Sequence, residues 1–263
     1  MAVLVLGIVD YRTLAQPVAT RPAFDAFEVA TIKPSNLELM AGRFMRMQTA
    51  SHFVARNYPV KILISAAYNL SPKAISGGPA WIDSDRYEIL AKTPGNVRPT
   101  LDEQMAMLRK LLADRFNLTF HRASKMLAIY ALTVAKNGPK LRESTLSPDA
   151  SPEGPPPLVF LIAPGTGRLP GRYATMAELV SVLQRAALDR PVVDQTGLSG
   201  RYDFDLDFST DESIFGGALP KGGDATKPGF FTAIQEQLGL KLEAKKGPLD
   251  SLIIDRIDRP SEN

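Results

Sequence analysis

The chain has 263 residues, 44% of them hydrophobic and 22% charged, with a formal net charge of +3. These proportions suit a folded globular protein of one large or two small domains, and basic residues scattered from Arg12 to Arg259 form no concentrated stripe for nucleic acid. Cysteine is absent and histidine occurs only at His52 and His121, which excludes disulfides, thiolate metal sites and histidine-rich metal centres. No metal or cofactor is expected.

Residues 2–9 (AVLVLGIV) form an apolar run, followed after a short polar stretch by Leu14-Ala15-Gln16-Pro17. A secretory signal joins a basic start, an apolar core of about 7–15 residues and a small-residue cleavage site. Here the basic start is missing and Asp10, Tyr11 and Arg12 interrupt the path, so residues 1–22 read as a degenerate or truncated export signal, the competing reading being a buried first strand. No other segment approaches the roughly 18–20 apolar residues of a membrane span. The mature chain is expected to be periplasmic or secreted, with no membrane span.

In a first half, 23–140, strands are predicted at 28–32 and 44–48. Val60, Leu63, Ile64, Ala67 and Tyr68 share a helical face behind Pro59. A strand at 87–91 follows, then a helix with Leu101, Met105, Leu108 and Leu112 on one stripe, opened by the capping box Thr100/Glu103. Strands are predicted at 117–121 and 127–135. Residues 141–157 (LRESTLSPDASPEGPPP) are Ser-, Pro- and Glu-rich and read as a linker or long loop. The second half, 158–263, repeats the scheme: a strand at 158–162, a helix with Met176, Leu179, Val180 and Leu183 behind the box Thr175/Glu178, a strand at 202–208, a glycine-containing loop over 209–228, a helix carrying Phe231, Ile234 and Leu238 ended by Gly239, and a strand at 252–257. The fold class is α+β. The common order of elements, with Arg86-Tyr87 and Arg201-Tyr202 each opening a strand, points to a duplicated unit in which two similar halves each cover a mixed or antiparallel sheet with two helices.

The phrases FEVATIKPS (27–35), ISGGPAWIDSDRYEILAK (75–92), LLADRFNLTFHRASK (111–125), YALTVAKNGPKL (130–141), RPVVDQTGLSGRYDFDLDF (190–208) and LGLKLEAKKGPLDSLIIDRIDRPSEN (238–263) resemble the soil-associated protein family. That resemblance covers nearly the whole chain after residue 26. It implies an exported protein of a group rich in Acidobacteria, sometimes attached to sensor-type peptidase proteins, and it implies no reaction. The helix–strand units are also faintly similar to short N-terminal domains of secretins and TonB-dependent receptors, a likeness at the level of fold alone.

No assembled catalytic motif stands out. The strand 201–208 alternates, with Asp203, Asp205 and Asp207 on one face; three carboxylates roughly 6.5–7 Å apart do not complete the six to eight oxygens calcium needs at about 2.3–2.6 Å. That face reads as solvated. His121, with Ser124 and Lys125 close behind, is a candidate general base, and His52 lies in a predicted loop. Asp83 and Asp85 could divide acid and base roles, though Asp-Ser-Asp before a strand is also turn chemistry. Gly77-Gly78-Pro79 lacks a phosphate-loop lysine, and Gly165-Thr166-Gly167 reads as a turn. An arginine beside an aromatic ring can recognise a carboxylate or a sugar face, which makes Trp81, Arg86 and Tyr87, with Asp194, Arg201 and Tyr202 as counterpart, the expected ligand-contact surface. The expected function is a non-catalytic extracytoplasmic binding or interaction module, its partner an envelope polymer, a peptide or an envelope protein. The alternative is a hydrolase using His121, Asp83 or Asp85.

Overall fold

In the computed structural model the described residues are 21–36, 42–145, 158–212, 214–215 and 223–260. The leader-like segment, most of the Ser/Pro-rich stretch and the glycines at 216, 217 and 222 lie outside them. Among the described residues the chain forms twelve strands and five helices. In order these are β1 (Val29–Pro34), β2 (Phe44–Met47), β3 (His52–Pro59), α1 (Val60–Ala67), β4 (Ile75–Gly77), α2 (Trp81–Ser84), β5 (Arg86–Lys92), α3 (Leu101–Phe116) and β6 (Thr119–Val134). There follow β7 (Arg142–Glu143), β8 (Leu161–Ala163), β9 (Thr166–Ala174), α4 (Met176–Val182), β10 (Val192–Asp194), β11 (Tyr202–Ser209), α5 (Phe230–Leu238) and β12 (Leu240–Arg256). The α4 helix widens into a π-turn over Leu183–Ala187. The architecture is α+β in three mostly antiparallel sheets. No described helix is long and apolar enough to cross a membrane.

The first sheet runs β1-β5-β3-β2 and the third β7-β11-β9-β8, both antiparallel throughout. Between them in the chain's economy stands the second sheet, β10-β6-β12-β4. Its centre is the antiparallel pair β6–β12, in register from Leu240↔Val134 to Ile254↔Phe120 and shifted by a bulge before Arg256↔Thr119, with β10 parallel to β6 at Tyr130–Leu132 and β4 parallel to β12 at Leu252–Ile254. The sequence divides β6 into two predicted strands and shows only the end of β12, because Arg122–Lys125 and Lys245–Lys246 break the apolar alternation. Main-chain pairing is indifferent to those side chains, so the ladder continues through a polar, largely exposed middle.

Two further segments differ from expectation. His52 opens β3 rather than lying in a loop, and the predicted turn at 165–167 leads into β9. The glycines of β9 hid that strand. A Cβ at Gly171 would stand 2.5 Å from the Phe204 ring, so glycine lets the aromatic lie flat across the backbone.

Two apolar clusters result. The first gathers Phe53, Leu63, Ile64, Ile89, Leu108, Leu112 and Phe116, and is completed by Leu252, Ile254 and Ile257 from the end of the chain. The second gathers Leu179, Leu183, Leu206, Phe208, Phe230 and Ile234, and is completed by Leu132 of β6. The β6–β12 ribbon thus feeds both clusters. The predicted capping boxes form at Thr100/Glu103 and Thr175/Glu178. Helices α3 and α5 end on left-handed residues, Asn117 (φ 49°) and Gly239 (φ 63°). Each helix is then closed by a segment following the other's strand: Asp258 N–H donates to Phe116 O at 2.7 Å, and Lys140 N–H to Leu238 O at 2.8 Å.

Candidate functional site

The short helix α2 sets Trp81 half-buried against the first cluster, and the turn after it starts β5 at Arg86. Gly77 and Gly78, both at positive φ, bring β4 onto Ile254 and turn the chain toward α2. Over this patch lies the guanidinium of Arg259, 5.0 Å from the Trp81 ring centroid. Its Nε and Nη2 reach Asp85 Oδ2 at 3.0 and 2.9 Å. Its charge also acts on the Tyr87 phenol, which is pushed up by burial and then by Asp85, against the opposing pull of Arg259. Asp85, Trp81 and Tyr87 are therefore gathered around one cation. Asp83 turns elsewhere and pairs with Lys61 at 2.9 Å.

Arg86 and Arg201 make matching contacts. Arg86 Nη1 donates to the carbonyl of Asn57 (φ 62°) at 3.3 Å, where β3 bulges before α1. Arg201 Nη1 donates to the carbonyl of Tyr173 (φ 54°) at 2.9 Å, where β9 bulges before α4, and stacks 4.4 Å from the Tyr173 ring. In both places a strained residue at a strand end is held by a guanidinium from the next long strand. Tyr87 and Tyr202 are buried in the two clusters at 5% and 7% exposure. Asp194 caps its own turn, accepting from Thr196 N and Oγ1 at 2.9 and 2.8 Å. Its partners are thus local, and it stands apart from the contacts of Arg201.

His121 lies on the exposed ribbon with Nδ1 2.8 Å from Asp255 Oδ1, and Lys125 donates to Ser76 Oγ at 2.8 Å. Asp83, Asp85 and His121 are each held by a different partner: Lys61, Arg259 and Asp255. Ser124 pairs in the ladder with Asp250, and His52 bonds Thr49 at 2.9 Å. The acidic ladder is neutralised from neighbouring strands. Asp203 accepts from the Tyr173 N–H at 2.8 Å, which holds its carboxyl below the usual range. Burial pushes Asp205 up, but hydrogen bonds from Arg168 (2.7 Å) and Arg172 (2.9 Å) outweigh it and leave the carboxyl lowered. No group of three metal-ligating side chains converges among the described residues. A shallow depression beside β8, lined by Phe160, Leu161, Arg168, Asp207 and Lys227, includes none of the expected site residues apart from Asp207 of the ladder.

Sequence reasoning missed Arg259 and Asp255. Both lie some 130–175 positions from their partners, and no local spacing signals such a meeting.

An α+β protein with two apolar clusters bridged by a two-stranded ribbon, and with an aromatic–carboxylate patch holding an arginine, is the class these observations define. The chain belongs to the family described as protein of unknown function (DUF3738), whose model matches residues 61–257. No curated protein and no solved structure matches it.

Proposed function

We propose that this chain is a non-catalytic binding or interaction module acting outside the cytoplasm, and that its contact surface centres on the Trp81 patch. The observation that carries this reading is the guanidinium of Arg259 resting on Trp81 and paired to Asp85. An aromatic face, a carboxylate and a phenol together form a receptor for a planar cation. The partner class that fits is a basic segment of a peptide or envelope protein, which would compete with the chain's own arginine. The leader-like N-terminus and the family resemblance support the location.

A titration of the protein with an arginine-rich peptide, followed by tryptophan fluorescence and thermal shift, tests the reading. Arg259→Ala is expected to strengthen binding by vacating the patch, and Trp81→Ala to remove it. Indifference of binding to both substitutions would end the assignment. A hydrolase remains the second reading, favoured by the His121–Asp255 pair, since a histidine oriented by a carboxylate is the arrangement of a general base. Turnover in a panel of esterase, glycosidase and peptidase substrates, abolished by His121→Ala in a folded protein, would establish it in place of the first.

A further inference from the structure

A strand at the rim of a sheet presents unpaired N–H and C=O groups, and folded proteins guard such rims with charge, proline or brevity. Among the described residues each of the three sheets has two rim strands, and all but one are guarded. β1 carries Lys33 and Pro34, and β2 carries Arg46. β4 is three residues long and ends on Gly77, β10 is three residues long and ends on Asp194, and β7 is the charged pair Arg142-Glu143. The exception is β8.

β8 and the two residues before it read Val159-Phe160-Leu161-Ile162-Ala163, without charge, proline or glycine. Val159, Leu161 and Ile162 are exposed, Leu161 at 52%. Phe160 turns inward, its ring centroid 5.0 Å from that of Phe215 and 6.1 Å from that of Phe208, and so anchors the strand to the second cluster. The ladder to β9 runs Leu161↔Arg168, Ile162↔Gly167 and Ala163↔Thr166, and closes through the two-residue turn Pro164-Gly165, with Gly165 at φ 76°. In such a hairpin the residues flanking the turn exchange both hydrogen bonds, and every second residue along the strand does the same. Ala163 and Leu161 therefore bond β9, while the main-chain groups of Phe160 and Ile162 point away from the sheet. Among the described residues 159–163 make no main-chain hydrogen bond beyond that ladder.

Nothing at this rim selects a charged partner. The charged side chains beside it are already paired, Arg168 with Asp205 at 2.7 Å and Lys227 with Asp207 at 3.9 Å. What the rim fits is a second copy of itself. Rotated about a two-fold axis through Leu161 and laid antiparallel, the strand sets Leu161 against Leu161, Phe160 against Ile162 and Val159 against Ala163. Every opposed pair is apolar, and the outward main-chain groups of Phe160 and Ile162 meet as pairs that exchange hydrogen bonds. The other rims are guarded, so such pairing closes at two copies and does not run on into a filament.

We propose that β8 is the surface through which two copies of this chain associate, as an antiparallel strand pair that joins their third sheets into one continuous sheet. A contact confined to residues 159–163 of each copy is smaller than the roughly 1,000 Å² of a stable interface. The dimer therefore forms as concentration rises and dissociates on dilution. The interface shares no residue with the Trp81 patch and stands or falls without it.

Sedimentation velocity of the full chain over a wide concentration series is the test. A reversible equilibrium of monomer and dimer is expected, with no larger species. Leu161→Lys and Leu161→Glu, at an exposed position, should keep the circular dichroism of the parent and each weaken the dimer about tenfold or more, by setting like charges face to face. An equimolar mixture of these two variants should associate again, because the axis through Leu161 then opposes unlike charges. Ile162→Pro removes an outward N–H that β9 does not use, and should weaken the dimer while the fold persists. Val29→Lys, at an exposed position of β1, should leave association unchanged. A monomer at every concentration, a dimer indifferent to the Leu161 substitutions, a mixture of the two variants that stays monomeric, or assembly that continues beyond two copies would each overturn the proposal.

Discussion

The first and third sheets treat their solvent faces differently. On β11 of the third sheet, Asp203, Asp205 and Asp207 meet Arg142, Arg168, Arg172 and Lys227 from β7, β9 and the segment before α5. On the first sheet the rows Thr31–Leu90–Val54–Arg46 and Arg56–Phe44 mix apolar and basic side chains, with Leu90 48% exposed and Arg46 and Arg56 stacked 4.9 and 5.4 Å from Phe44. One face is neutralised by the chain itself. The other sets Arg46 over the Phe44 ring beside exposed Leu90, and neutralises Arg56 with Glu88 at 3.3 Å and Lys92 with Glu28 at 2.7 Å.

The sharpest way to break that comparison is to test whether the two clusters stand as equals. Leu252→Ala and Leu132→Ala each remove a buried side chain contributed across the ribbon, and each should cost about 2–5 kcal/mol. Urea unfolding should show one transition in both variants; a separate early transition in either would mean that the clusters are independent. The arginine contacts should differ next. Arg201→Ala, which also loses Glu178 and the Tyr173 ring, should destabilise by about 1–2 kcal/mol, and Arg86→Ala by less, with its single longer hydrogen bond. Equal losses in the same denaturation assay would remove the claimed inequality.

Acid should separate the faces more gently. Asp203 and Asp205 titrate below their unfolded values in the folded protein. Their contribution is therefore complete above the unfolded carboxyl range and is lost as pH falls through the lower folded one. Asp203→Asn should flatten the acid side of a melting-temperature profile, and an unchanged profile would deny the carboxylate that role. The smallest effect is expected from Arg259→Ala, below about 1 kcal/mol for a partly exposed pair. A shift in Trp81 emission should accompany it.

Much of the fold was legible because local chemistry specifies it. The capping boxes at Thr100 and Thr175, the stripe of Leu101 to Leu112 and the alternation of Tyr202 to Phe208 each need only neighbours within a few residues. What was hidden depends on distant partners. The continuity of β6 through Arg122–Lys125 is dictated by β12, and the strand at Gly167–Gly171 by the aromatic rings of β11 that lie on it. Of the candidate site, the sequence singled out Trp81, Arg86 and Tyr87 with Arg201 and Tyr202 as an expected contact surface, and Asp85 as an acid–base candidate, but it did not show that the two arginines hold backbone carbonyls. Nor could it place Arg259 over Trp81, since that meeting is made by tertiary packing alone.

The crossing of β6 and β12 sets an order of assembly. Leu252, Ile254 and Ile257 complete the cluster built mainly from residues 32–118, so a chain emerging from the ribosome carries that cluster unfinished until its final strand is available. Contacts of such long sequence separation slow folding and prolong the exposure of apolar surface. Truncation shortly before residue 252 should therefore harm the earliest-made part of the molecule as much as the latest.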